Sequence, residues 1–405
     1  MAMNSMSFSQ ASTLLNAVVK QATGQTAQTA ITTPEDLVSV AQTALKTGYD
    51  PIINAVSQVW SRTIFAARDY EAKFNDLEMS IERYGNAIRK LSPISGLMVD
   101  DLRYKYPVAY DSTETDNPLG NGESVDMWKI AKQEVLQTNF YGTAVYQQRY
   151  TIFKDQFDAA FNSADEFMRF NAMNMTERNN DKESFRENVG RTIQANFIGA
   201  LLDENNTARV IHLLTEYNTL TGLELTAETV FAPDNFEPFI RWVYARINTL
   251  ARFMSERTQT YQTVINSKPI LRHTSGENLR VALSSSIYEQ IKSMALSMVR
   301  QPGELALPNF TPVTYWQSID APLKINITPV YTDSTGAVKK ATSAVVKDNI
   351  LGVMHDRDAI GYAQVNPWSA ITPLNIDGGY WNEAYHATYK TISDNTEKAV
   401  VLCLD

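Results

Sequence analysis

Residues 350–405 read ILGVMHDRDAIGYAQVNPWSAITPLNIDGGYWNEAYHATYKTISDNTEKAVVLCLD. Two short apolar runs, Ile350 to Met354 and Ala399 to Leu404, flank a segment rich in Gly, Pro, Asn and aromatic residues. Runs of that length, containing Val and Ile and separated by turn formers, predict two buried strands joined by a loop. A buried strand in the last run would close the core only when the C-terminal residues are in place. That end of the chain is therefore expected to be structural.

At 405 residues the chain suggests two or three domains, or one large elaborated domain. Its 44% hydrophobic and 10% aromatic content suits a globular protein with a sizeable core. Thirty-six Lys and Arg against 45 Asp and Glu give a net charge of −9. Gripping nucleic acid through phosphates needs a basic face, so tight DNA binding is disfavoured and at most a local basic strip is left. The single cysteine, Cys403, has no intrachain partner and lies in an apolar run, which predicts an inert buried thiol. The N-terminal stretch has no basic residue before Lys20 and no continuous apolar core, so no signal peptide is expected. No apolar run approaches the roughly 18 residues of a membrane span. The protein is expected to be made and kept in a cytoplasm until something else carries it out.

Residues 1–32 are rich in Ser, Gln, Thr and Ala, which fits a mobile arm or one weak helix around Ala11 to Gln21. Thr33, Pro34, Glu35 and Asp36 form a helix start, followed by Leu37, Val40, Ala41, Ala44 and Leu45 at helical spacing, with Gly48 as the stop. Asp50 and Pro51 repeat the start for a second helix through Trp60. From Leu77 the period becomes two (Leu77, Met79, Ile81), which predicts a strand with one wet face. Residues 95–126 lose periodicity and carry seven acids against two bases, an irregular excursion of the kind that is functional or mobile. Strand character returns from Met127 through Ile152. Phe185, Val189, Ile193, Phe197 and Leu201 then predict a long helix over 181–203, with Asp181 and Glu183 in its first turn.

Residues 219–233 read as a crossing into another subdomain. Asp234 opens a second strong helix, whose apolar face runs from Phe236 to Met254. Its arginines 241, 246, 252 and 257, interrupted by Glu237 and Glu256, read as a solvated face or as salt bridges between subunits rather than a phosphate track. Further elements are expected at 279–283 (strand), 287–299 (helix), 311–317, 323–331 and 344–354 (strands), with a polar hairpin at Asp333 to Gly336. Short strands and scattered helices without βαβ alternation make the fold class α+β.

The search for chemistry yields little. Gly120-Asn121-Gly122 lacks the further residues of a phosphate loop, and no Gly-x-Ser-x-Gly elbow occurs. The histidines 212, 273, 355 and 386 are too scattered for a helical metal pair. His355, Asp356, Arg357 and Asp358 could in principle ligate a metal or share a proton. Neighbouring strand residues face opposite ways, however, and Arg357 offers the acids an ion pair. The Asn-x-Thr tripeptides at 174, 205, 309 and 326 read as chance matches. A carbohydrate hydrolase would need two acids about 5–10 Å apart in a cleft. A pair such as Asp377 and Glu383 reads instead as exposed surface charge. No catalytic residue, cofactor or metal is expected.

The order LGVMHDRDAIG, then NPW…TPLNIDGGYWNEAY, then EKAVVLCL resembles the end of major capsid proteins of tailed bacteriophages, which share the HK97-like fold. The resemblance covers roughly residues 60–405. It is strongest in 140–200 (TNFYGTAVYQQRYTIFKDQFDAAFNSADEF), in 208–222 (ARVIHLLTEYNTLTG) and in 350–404. It implies an N-terminal arm with short helices over 1–74, where the alternative is a helical hairpin packed on its own domain. It implies an extended loop, a β-hairpin excursion, over 75–153. The peripheral domain with a spine helix would be 154–221 and 350–405, and the axial domain 222–349. The implied partners are other copies in hexamers and pentamers of an icosahedral shell, scaffolding, portal and decoration proteins, and weak non-specific contact with packaged double-stranded DNA, with no membrane. The implied location is the virion, after assembly in the host cytoplasm. An acidic lining would let DNA slide. Some capsids of this fold weld neighbours through a lysine–asparagine isopeptide bond. Lys105 is the only lysine between Lys90 and Lys129, it has no identifiable partner, and the cross-link is not carried over. A tail or connector protein of the same kind of virus would share the acidity and the absence of sites.

Overall fold

The computed structural model describes residues 8–23, 31, 33–45, 70–79, 88–94, 96, 128, 132, 134–140, 143–160, 164–268, 270–298 and 310–405. The stop at Gly48, the second helix from Asp50 and the excursion at 95–126 lie outside these residues, apart from Gly96. The chain divides into two compact units. One comprises 1–88, 141–195 and 360–393, and the other 89–140, 196–359 and 394–405.

The first unit is built on a three-stranded antiparallel sheet. Its central strand β13 (Tyr380–Ser393) pairs with β12 (Ile360–Ile371) on one side and β3 (Thr143–Phe153) on the other. This is the largest departure from the sequence reading, which took the segment between the two apolar runs as a loop. The longest cluster of turn residues, 372–379, is the hairpin tip between β12 and β13. The rest alternates aromatic, β-branched and polar side chains, which suits a half-buried pleated strand. Pro367, which made the segment look irregular, falls at a register shift between Val365 and Trp368, where a missing N–H does no harm.

Helix α4 (Ala164–Asp203) has 40 residues and runs about 60 Å at about 1.5 Å per residue. It begins 17 residues before the expected start, since nothing in 164–180 is Pro or Gly. Asp181 and Glu183 are therefore mid-helix residues and not N-terminal charges. Short helix α3 (Lys154–Ala160) precedes it. Near the N-terminus α1 (Phe8–Thr23) matches the expected weak helix, and α2 (Pro34–Leu45) opens on a reciprocal cap. The Asp36 N–H donates to Thr33 Oγ1 (3.2 Å) and the Thr33 N–H to Asp36 Oδ2 (3.0 Å). The strand expected from Leu77 is not formed over the described residues. Asn75–Leu77 is a 3-10 turn, and Glu78 makes one isolated bridge to Tyr362. Phe74 and Leu77 are buried as anchors of a turn, which the two-residue period mimics.

The second unit holds the two apolar runs, and here the expectation is met. Strands β11 (Ile350–Asp356) and β14 (Ala399–Cys403) pair antiparallel, and every residue of both is buried. They are the middle of a five-stranded mixed sheet ordered β4-β14-β11-β5-β6, with β4 (Val210–His212), β5 (Leu279–Ser284) and β6 (Phe310–Val313). Central strands bury both faces, hence the unbroken apolar sequence. Gly352 is required by close approach, because a Cβ there would lie 2.8 Å from the Ala282 carbonyl oxygen.

Helices α5 (Leu213–Thr221), α6 (Pro233–Ser255) and α7 (Ser285–Met298) also belong to this unit. Helix α6 contributes the stripe Phe239, Ile240, Val243, Ile247, Leu250 and Met254 to the core built on the sheet. The expected strands at 311–317 and 323–331 are shorter than read. Trp316 turns inward to donate its Nε1–H to the Ile350 carbonyl (2.9 Å). Pro329 separates β7 (Ile325–Ile327) from β8 (Val330–Thr332), which pairs with β9 (Val338–Lys340). Strand β7 pairs with β10 (Val345–Lys347), and β1 (Ile88–Pro93) with β2 (Val135–Phe140).

Candidate assembly site

In the first unit, α4 is fixed by charge as well as by apolar contact. Arg178 and Glu383 form a buried ion pair at 2.6 Å, with Tyr150 lying under the guanidinium at 4.5 Å. Glu383 is thus a correction to the sequence reading, which placed it on the surface with Asp377. Its position on β13 turns it toward the helix, while Asp377 stays exposed at the hairpin tip. Three further groups staple residues 70–79 to the same helix. Glu183 accepts the Ala72 N–H (3.2 Å), Arg186 bridges Glu183 (2.9 Å) and Glu78, and Glu187 accepts the Tyr70 hydroxyl and Arg191 Nε (3.1 Å). Phe74 seats on Gly190, where a Cβ would come within 2.8 Å of the ring's own Cβ. Beside these contacts, α4, β3 and β13 enclose a groove of about 420 Å³. Tyr146, Phe185 and Tyr389 pack there with centroids 4.4–5.9 Å apart.

In the second unit the polar stretch Asp394–Lys398, between β13 and β14, is buried throughout. Asp394 accepts Lys90 Nζ (2.8 Å), the Thr396 N–H (2.9 Å) and the Thr396 hydroxyl (2.6 Å). Glu397 meets both Lys90 and Arg272 at 2.6 Å. Arg209, fully buried, donates to Glu204 (2.9 Å), Thr263 (2.7 Å) and the carbonyls of Asn395, Glu397 and Ala399. Burial lowers the Arg209 pKa to about 10 even against the Glu204 carboxylate, which still leaves it charged at neutral pH. Burial also works against the ion pair of Lys90 and Asp394, yet their mutual attraction wins. Lys90 is held above the usual lysine value and Asp394 below the usual carboxylate value. The network ties β1, the strand entering the 95–126 excursion, to the connection into the last strand. Sequence reasoning missed it, and the only signal was a five-residue polar run directly abutting an apolar one.

The other residues weighed for chemistry have structural roles. His355 is buried, with Nδ1 2.8 Å from the Asp356 carbonyl and its ring edge-on to Phe197. Asp356 Oδ1 accepts the Asp358 N–H (3.0 Å), which closes the turn into β12. Among the described residues no group of three acids, histidines or cysteines is placed to hold a metal. Burial raises the Cys403 thiol to about 12, as an inert thiol requires. Arg241 pairs with Glu237 (2.5 Å) and Arg246 with Glu216 (2.7 Å), so both are neutralised within the subunit. Lys105 and Gly120–Gly122 lie outside the described residues. Among the described residues no helix is long and apolar enough to cross a membrane.

Residues 15–403 match the family model of the Phi29-like phage major capsid protein. The chain belongs to that family. It is a major capsid protein, a structural component of the virion, and its α+β architecture is the HK97-like capsid fold expected from the sequence. Two solved structures carry the likeness at the level of fold. One is a chain of the capsid structure of Staphylococcus phage Andhra, 8% identical with a TM-score of 0.52, covering 85% of this chain and 87% of that one. The other comes from the structure of the head fiber and inner core protein gp22 of native bacteriophage P68, 9% identical with a TM-score of 0.53, covering 85% and 88%. No curated protein matches by sequence. A capsid protein works through contact with its own copies.

Proposed function

We propose that this capsid protein assembles, from one kind of subunit in hexamers and pentamers, into a closed icosahedral shell around the double-stranded DNA of a tailed phage. The family match over residues 15–403 carries the reading. In this proposal residues 1–74 are an arm laid against neighbours and 75–153 an extended loop. Residues 154–221 with 350–405 form the peripheral domain, α4 being its spine, and 222–349 form the axial domain. The subunit has no catalytic task. It meets scaffolding, portal and decoration proteins, and touches packaged DNA weakly, as a net charge of −9 favours. Many individually weak interfaces suffice because each subunit is held by several at once.

The test is negative-stain electron microscopy of the purified protein together with sedimentation velocity at several salt concentrations. Closed shells, or rings of five and six, are expected. A salt-insensitive monomer, also in the presence of proteins from the same virus, would overturn the reading.

A further inference from the structure

The tip between β12 and β13 is built as a rigid projection. Asn375 Oδ1 accepts the N–H groups of Asp377 (3.1 Å) and Gly378 (3.0 Å), and the Asn375 N–H donates to the Tyr380 carbonyl (2.9 Å). Gly379 sits at φ +60°, and a Cβ on Gly378 would strike the Tyr380 ring. The turn presents two neighbouring side chains to solvent. Ile376, at 90% exposure, is the most exposed large apolar residue among the described residues, and Asp377 is the acid beside it. An apolar knob held this firmly loses little entropy on docking.

The groove between α4 and the sheet is the complementary half. Its volume of about 420 Å³ lies in the range of pockets that hold ligand groups. Its walls carry the rings of Tyr146, Phe185 and Tyr389. Lys182 also lines it, with its ammonium 4.2 Å over the Tyr385 ring. Among the described residues no carboxylate lies within ion-pair distance of that ammonium. The nearby Glu383 is taken by Arg178, and Asp181 accepts Gln148 Nε2 (2.7 Å) and the Tyr150 hydroxyl (3.0 Å). Burial and the Arg178 charge push the Lys182 pKa down, and the attraction of Glu383 offsets them only in part.

We propose that Ile376 and Asp377 of one subunit dock into the groove of a second copy, Ile376 among the aromatic rings and Asp377 on Lys182. The occupant cannot be the same chain's own knob. Strand β13 runs from Tyr380 at the knob to Tyr385 and Tyr389 in the groove, which separates them by at least about 17 Å at about 3.3 Å per residue. A contact joining two different patches is head-to-tail, the type that closes rings when its rotation permits. The inference rests on the capsid reading, since it names the partner as another subunit.

Charge exchange tests it. Asp377→Lys and Lys182→Glu are each expected to lower the yield of shells or rings about tenfold, and the double swap to restore most of it. Melting temperatures of all three are measured alongside, so that misfolding is recognised. An independent arm oxidises a chain carrying Asp377→Cys and Ser184→Cys. A ladder of disulfide-linked oligomers is expected, absent from either single substitution, with buried Cys403 taking no part. Full assembly by Asp377→Lys, or no ladder from the double cysteine chain while the unaltered chain forms shells, would overturn the contact and leave the capsid reading standing. Failure of the unaltered chain to assemble would count against the capsid reading itself. A ladder from soluble protein, with no shells, would still support the contact.

Discussion

Lys90 shows how much of this protein is decided by single charges. Its ammonium lies between Asp394 and Glu397 with its side chain 21% exposed, so removing it strands the buried Asp394 carboxylate and leaves Glu397 to Arg272 alone. Lys90→Ala is expected to cost about 3–5 kcal/mol in denaturant unfolding, as breaking a buried pair generally does. This network, with two carboxylates paired elsewhere, sets a pH profile. Asp394, Glu187 and Asp203 are held below the ordinary carboxylate range. Each therefore adds stability above the unfolded pKa of about 4, and that stability is lost as pH falls through the folded value. Lys90 has the opposite sense, adding stability below about pH 10 that fades as pH rises through its raised folded value. Glu397, pushed up by burial, opposes the three carboxylates in acid. The melting temperature should form a plateau at intermediate pH and fall on both sides, and Lys90→Ala should flatten both limbs. An unchanged profile in that variant would refute the assignment. None of this was legible in the sequence, because a charge declares its partner only once the chain has folded. Glu383 was read as surface charge for the same reason.

Elements were legible where one residue pattern decides them. β11 and β14 are continuous apolar runs, and α6 carries a clean helical stripe after Pro233. They were illegible where the pattern is shared. The β12–β13 hairpin mixes polar and aromatic residues with Gly361 and Pro367 inside β12, so its strands look like an irregular segment. The first half of α4 has no single apolar face, so its true start was invisible. Gly352 gives an element-scale prediction. Gly352→Ala places a methyl against the Ala282 carbonyl between two central strands, and should cost about 1–3 kcal/mol in chemical unfolding, as overpacking does. A loss much smaller than this would mean that β11 and β5 part readily, contrary to their burial.

At the scale of the whole molecule, capsid identity came from the order of segments and not from any site, and the architecture agrees with it. Strand β14 lies between β4 and β11, so the residues translated after 398 fill the centre of a sheet rather than its rim. A ribosome that stops before Ala399 releases a product with two uncovered strand edges and no way to close its second unit. Such fragments should be insoluble or quickly degraded when made beside the intact chain, and particles purified from that mixture should contain none of them. Damaged messages would then cost the virus material without introducing faulty bricks into its wall.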